Sequence, residues 1–307
     1  MAFTAADVKE LREKTGCGMM DCKKALTDAN GDMEQAIVLL REKGLAKAAK
    51  KAGRVAAEGA VVTYTDEVKK VTAMVEVNAE TDFVAKNEKF QSFALVCAKT
   101  VAEQNPADVN ALMACVPAGE TLTVDGLLKD LILVIGENMK VRRFTRFEGT
   151  VVSYIHGNGR IGVIVKCDVS NDIASNPEFV EAAKDVAMQI AALNVPYLCK
   201  ETVPVEAIEK EKEIITAQIK NDPKSANKPD AIIAKMTEGR LNKFYKENCL
   251  IEQEFVKDSS MTVGQYVESV AKKLGSEIKI VDYVRFEKGE GLEKREDNFA
   301  DEVASMM

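Results

Sequence analysis

Gly59-Ala60-Val61-Val62-Thr63-Tyr64 returns ninety positions later (149 minus 59) as Gly149-Thr150-Val151-Val152-Ser153-Tyr154, and the match continues outward from there. Lys70-Val71 answers to Arg160-Ile161, and Asn87-Glu88-Lys89-Phe90 to Asn176-Pro177-Glu178-Phe179. Further on, Gly136 to Lys140 followed by Arg146-Phe147-Glu148 answers to Gly275 to Lys279 followed by Arg285-Phe286-Glu287. Correspondence in the same order over this length is an internal repeat. Alternating Val75 and Val77, and Val163 and Val165, give the strand period, while Phe93, Val96, Cys97 and Val101 give the helical one. Each copy therefore predicts a hairpin, a long helix, more helical material and a closing strand: a duplicated α+β core.

The offset grows from 90 at the hairpin to 139 at the closing strand (275 minus 136), so the second copy carries 49 additional residues (139 minus 90). Val205 to Lys220 reads as a charged helix with Ile208, Ile215 and Ile219 on a narrow stripe. A polar turn over 221–229 follows, then a second helix from Asp230 to Lys243. This predicts an antiparallel helical hairpin inserted in the second half. Its seam suits contact with a partner or another copy, and equally suits holding the two helices to each other.

Residues 4–44 predict three short helices, with Thr15-Gly16-Cys17-Gly18 and Asn30-Gly31 as breaks and Asp32 with Gln35 as a capping box opening a helix from Met33 to Glu42. The Ala- and Lys-rich stretch from Gly44 to Gly53 reads as a linker with helical tendency. The divisions that follow are 1–54, 55–148, 149–200 with 244–287, the hairpin at 201–243, and a C-terminal module at 288–307.

Composition narrows the function. Forty-two basic against 49 acidic residues give a net charge of −7, which argues against direct nucleic-acid binding. No apolar run is long enough to span a bilayer and the first residues lack a signal-peptide pattern, so the expected location is the cytoplasm, away from membranes. Seven cysteines without a CxxC pair and a single histidine offer no zinc site, and reduced structural thiols fit that compartment. No metal or cofactor is expected.

Gly157-Asn158-Gly159-Arg160-Ile161-Gly162 matches GxGxxG, but a strand follows where dinucleotide binding needs a helix, so the glycines predict a hairpin turn. His156 has no nucleophile motif to serve, which leaves it surface or contact; a nucleotide-dependent enzyme built on this loop is the competing reading. Met19 and Met20 follow a glycine-rich turn, where adaptable thioethers suit docking as well as packing. Lys47, Lys50, Lys51 and Arg54 form a basic run that reads as solvated surface or a match for an acidic patch. Asp82-Phe83 lies between a strand and the helix starting near Asn87, an unusual place for phenylalanine. The second copy has Ser170-Asn171-Asp172 where the first has Thr81-Asp82-Phe83, so the aromatic ring is not needed to build the unit and points to docking.

Leu11 through Leu26, Val77-Asn-Ala-Glu-Thr-Asp-Phe-Val-Ala-Lys-Asn87, His156 to Gly162, and Arg285 to Glu293 together resemble the translation elongation factor Ts family along essentially the whole chain. Ala79, Cys17 and Asn158 depart from its usual residues. The resemblance implies a ubiquitin-associated-like three-helix N-terminal domain, a core of two related α+β halves, and a hairpin that serves as a dimerisation or coiled-coil module, so a homodimer is possible. It also implies a partner, the GTPase elongation factor Tu, in GDP-bound and nucleotide-free forms. On this reading the chain is an exchange factor rather than an enzyme, and a passive adaptor is the alternative. The resemblance assigns Thr81, Asp82, Phe83 and Val84 to dislodging the partner's Mg²⁺. It assigns Lys9, Arg12, Met19, Met20, Lys23, Lys51, His156 and Arg160 to partner contact.

Overall fold

The computed structural model describes residues 3–170, 172–223 and 228–293, without the side chains of Leu45, Lys47 and Ala48. Asn171, part of the 221–229 turn and most of the 288–307 module lie outside the described residues. The chain is mixed helix and sheet, of the α+β class. It forms two compact units. One comprises the described residues up to Phe147 with Ile155–Gly162 and those from Phe286 onward; the other comprises Glu148–Tyr154 and Val163–Arg285.

Three helices open the first unit: α1 (Ala5–Thr15), α2 (Met19–Asp28) and α3 (Met33–Lys51). Thr4 and Asp7 close a capping box at the start of α1, and Gly16 ends it in the left-handed region at φ 67°. Asp32 caps α3, accepting from the Gln35 amide at 2.9 Å. Val8, Leu11, Cys22, Leu26, Ala36 and Leu40 form the core of these helices. α3 does not stop near Glu42 as expected; it runs through Gly44 to Lys51. The reason is tertiary: Leu133, on α7 (Val124–Ile135), packs over Gly44, where a Cβ would stand 3.3 Å from its side chain. Contact with a second helix outweighs the ~1 kcal/mol that glycine costs a helix interior.

The first sheet has the order β1-β2-β3, made of β1 (Glu58–Asp66), β2 (Val71–Ala79) and β3 (Met139–Glu148). β1 and β2 are antiparallel, in register from Glu58 opposite Ala79 to Asp66 opposite Val71. Two short helices, α4 (Asp82–Ala85) and α6 (Val109–Ala114), flank the long α5 (Glu88–Gln104). Phe90, Phe93, Ala94, Cys97 and Val101 of α5 share one core with Val75 and Val77 of β2. Burying each large apolar side chain contributes about 1.5–3 kcal/mol. All nine residues of β2 are buried, so its alternating pattern does not mark a wet face.

Glu76 is the one carboxylate inside that strand, fully buried. It accepts from Arg142 Nη1 at 3.0 Å, Arg143 Nε at 2.6 Å, Asn78 Nδ2 at 3.0 Å and the Gly289 amide at 2.8 Å. Burial by itself would raise this carboxyl, but the four donors outweigh it and hold it below the usual range. The Arg143 guanidinium also lies 4.3 Å above the Phe286 ring.

The second half repeats the plan with β4 (Thr150–His156), β5 (Ile161–Val169), α8 (Pro177–Leu193) and the closing β8 (Ile278–Glu287), in sheet order β4-β5-β8. Phe90 and Phe179, matched in the repeat, are both fully buried. Between α8 and β8 come α9 (Val205–Asn221), α10 (Asp230–Asn248), the two-stranded β6 (Glu254–Phe255) and β7 (Asp258–Thr262), and α11 (Val263–Leu274). Ile215 and Ile219 of α9 close against Ile233 and Leu241 of α10, with Ile208 beside them. The narrow stripe is thus used between these two helices.

All seven cysteines are free. Burial pushes the Cys97 and Cys167 thiols up to about 12. Among the described residues no helix is long and apolar enough to cross a membrane, and no group of three or more His, Cys, Asp or Glu is placed to hold a metal ion.

Candidate partner-contact site

β2 leaves the core after Ala79, and eight residues, 80–87, carry the chain into α5 at Glu88. Sequence reading treats this connection as a loop; it is a single helical turn, α4. Thr81 caps it, its hydroxyl accepting from the Val84 amide at 3.4 Å. Val84 and Ala85 turn into the core, and Asn87 caps α5 by accepting from the Lys89 amide at 2.9 Å. Phe83 is left 81% exposed. Asp82 beside it accepts from Lys86 Nζ at 2.7 Å, and this hydrogen bond holds its exposed carboxyl below the usual aspartate range.

The second half checks this geometry. Asn176 donates to the Ile173 carbonyl as Asn87 does to that of Val84, and Ile173 is buried like Val84. Counting back from these anchors, Phe83 matches Asp172, which is exposed. The turn is built by the residue that follows, and the exposed position is filled by a ring in one half and a carboxylate in the other.

The turn is tied down from the side. The Glu137 carboxylate accepts from the Thr81 amide at 3.0 Å and the Thr81 hydroxyl at 2.9 Å. Glu80 Oε1 accepts from the Asn138 amide at 2.5 Å, Glu80 Oε2 lies 3.4 Å from Arg54 Nη1, and Asn138 Nδ2 donates to the Arg54 carbonyl at 2.8 Å. Lys51 Nζ donates to the Gly136 carbonyl at the end of α7. Lys51, assigned by resemblance to partner contact, is therefore part-buried and engaged within its own chain, while Arg54 is exposed. Glu80, beside Asp82 and the aromatic in the connecting segment, stands out in the sequence, while Glu137 and Asn138 do not. The one readable signal is that Gly136-Glu137 stands opposite Gly275-Ser276 in the repeat.

Lys9 and Arg12 are exposed on α1, and Met19, Met20 and Lys23 on α2, with Met19 and Met20 at 57% and 75%. The Lys89 side chain, from the first turn of α5, reaches their turn: a Cβ on Gly16 would stand 2.7 Å from Lys89 Nζ. Gly157, Asn158 and Gly159 all have positive φ, so the GxGxxG match is a hairpin turn. The Val61 amide donates to the Gly159 carbonyl at 2.8 Å, and a Cβ on Gly159 would stand 2.9 Å from that of Ala60. An open cleft lined by Val61, Thr63, Ala85, Lys86, Gln91 and Asn158 links this tip to the end of α4. His156 and Arg160 are exposed at the tip, with Arg160 3.5 Å from Glu287. The structure thus brings the α4 turn, the hairpin tip and the α1–α2 turn into one unit. The site offers an exposed ring, exposed thioethers and fixed charges, side-chain types suited to protein contact.

The family model described as elongation factor TS matches residues 80–290. Proteins named elongation factor Ts from Clostridium perfringens (strain SM101 / Type A) and Clostridium botulinum (strain Alaska E43 / Type E3) are similar at 54% identity over 307 residues and 52% over 310, covering 99% of this chain and of each relative. One from Clostridium novyi (strain NT) is 50% identical over 310 residues, covering 99% of this chain and 98% of its own. Similarity of this extent, joined to a match over most of the core, places the chain in the elongation factor Ts family of translation factors.

Proposed function

We propose that this chain binds elongation factor Tu carrying GDP, loosens the nucleotide, and stays bound until GTP displaces it. The observation that carries the reading is Phe83, exposed on a capped turn whose next two residues are buried, at a position where the second half has an aspartate. Burying such a ring in a partner removes about 150–250 Å² from water. Truncating it costs about 2 kcal/mol or more where it acts as a hot spot. GDP is held by Mg²⁺ and by backbone amides around its phosphates, so Thr81 to Val84 act by disturbing that region, with Asp82 bringing negative charge to the groups that organise the ion. Lys9, Arg12, Met19, Met20, Lys23, His156 and Arg160 extend the contact, and Lys51 serves it indirectly by supporting α7. Coupling between the two ligands is reciprocal, so a factor that weakens nucleotide binding is itself released by nucleotide. No bond is made or broken, and the chain acts as an exchange factor with no cofactor of its own.

In the same reading, residues 1–54 are a ubiquitin-associated-like domain with its linker. Residues 55–148 form one core half, and 149–200 with 244–287 the other. The hairpin at 201–243 is a module for self-association. Because its isoleucine seam is used between α9 and α10, a homodimer would engage exposed residues such as Ile214 and Ile232. Residues 288–307 form the C-terminal module.

Stopped-flow release of a fluorescent GDP from elongation factor Tu tests the proposal. Wild type is expected to accelerate release, and Phe83→Ala and Asp82→Ala to do so at least tenfold less, a loss of ~1.4 kcal/mol. Equal acceleration by both variants removes the site assignment. No acceleration by wild type removes the function.

A further inference from the structure

We propose that Glu137 is the positioning residue of the Asp82–Phe83 turn, a role that rests on the exchange reading above. Its carboxylate takes both the amide and the hydroxyl of Thr81, at 3.0 and 2.9 Å. With its proton committed to Glu137, the Thr81 hydroxyl turns a lone pair toward the Val84 amide and caps α4. That orientation sets where the turn begins, and so where Asp82 and Phe83 project. Hydrogen bonds to a charged acceptor are shorter and about twice as strong as neutral ones, which suits holding an exposed ring that has no packing of its own.

The second half separates this role from mere closure of the fold. There the matching tie joins Ser170 to Ser276, hydroxyl to hydroxyl at 2.8 Å, and Ser276 occupies the position of Glu137 in the repeat. Among the described residues, the tie at that place in the second half is thus between neutral hydroxyls. The first half has two bonds to a carboxylate at that place, a further one from the Asn138 amide to Glu80, and Arg54 beside it. The reinforcement occurs in the half that carries the exposed phenylalanine. A wedge that works by inserting a ring gains from such rigidity, since a displacement of about 1 Å in a working group can cost up to ~100-fold in rate.

Replacing Glu137 by the residue the other half uses makes the test, with GDP release from elongation factor Tu measured at saturating chain. Glu137→Ser is expected to slow release about tenfold, from the loss of two charge-assisted bonds. Its melting midpoint should fall by no more than about 6 °C, leaving the chain folded in the assay. Amide exchange of Asp82 to Ala85, followed by mass spectrometry, should quicken. In a Phe83→Ala background Glu137→Ser should add well under its own tenfold, because the ring is gone and only Asp82 is left to misplace. Ser276→Ala, in the other half, should release GDP at the wild-type rate. If Glu137→Ser unfolds, Glu137→Gln carries the same readouts with a smaller effect, about threefold. Wild-type release by the Glu137 variants beside slow release by Phe83→Ala overturns the positioning role and leaves the exchange reading intact. Additive loss in the double variant overturns it as well. Fast release by Phe83→Ala instead overturns the assignment of the ring, and the positioning role with it, whereas no acceleration by wild type overturns the exchange reading; unchanged amide exchange at Asp82 to Ala85 overturns the positioning role whatever the release rates.

Discussion

Replacing Glu76 by glutamine keeps the side chain's size and removes a full charge from the middle of β2. The carboxylate is fully buried and satisfies four donors: two guanidiniums, the Asn78 amide and the Gly289 backbone. Glutamine offers one acceptor oxygen, and its own N–H groups would face the arginines. Breaking a buried pair by neutralising one partner costs about 3–5 kcal/mol. The side chains of Arg142 and Arg143 are 22% and 30% exposed and recover some hydration, so the lower end, about 3 kcal/mol, is expected. For a chain of this size that lowers the melting midpoint by about 6–12 °C. The sign with pH follows from the depressed folded-state carboxyl. Its stabilisation is complete above the ordinary glutamate value of about 4.5 and is lost as pH falls through the lower folded value. Glu76→Gln should therefore lie below wild type at pH 7, and the gap should close as pH falls below that window. Urea and thermal unfolding by circular dichroism, from pH 7 down to pH 3, read both effects. A variant within about 1 kcal/mol of wild type at pH 7, or a gap that does not change with pH, would refute the reasoning.

Gly159→Ala should destabilise the first unit by about 1–3 kcal/mol in urea unfolding, because φ is +90° and the new Cβ would meet Ala60 and the Val61 carbonyl. Gly53→Ala, with nothing within 4 Å of its Cβ, should show no such loss. Iodoacetamide labelling at pH 8 followed by mass spectrometry should modify the partly exposed Cys115 and Cys199 well before Cys97 and Cys167, whose buried thiols titrate at about 12. Equal labelling rates would contradict that assignment.

The duplicated order of strands and helices was legible because it is written in local periods. Val75 and Val77 alternate, Phe93 to Val101 follow helical spacing, and Gly157-Asn158-Gly159 can only turn. The exposed Phe83 was legible through the repeat, which supplied a second version of the same connection without the ring. Where α3 ends was not legible, since Gly44 is a helix breaker until Leu133 packs over it. The short helix at Asp82 was hidden for a related reason: four residues carry no period, and the turn exists because Thr81 caps it while Val84 enters a core built elsewhere.

Local chemistry along the chain thus decided the α+β class, the repeat and the candidate wedge at Asp82–Phe83, because period, turn residues and an out-of-place aromatic are properties of neighbours in sequence. Only tertiary structure decided what holds that wedge. Thr81 and Glu137 are separated by 56 residues, and Lys51 and Gly136 by 85, yet each pair is joined by hydrogen bonds. Those bonds depend on where the sheet and α7 bring the chain back, which no period along the sequence encodes. Glu76 shows the same division: its strand can be read from alternation, while its burial among two arginines and Gly289 arises from segments 66 to 213 residues away.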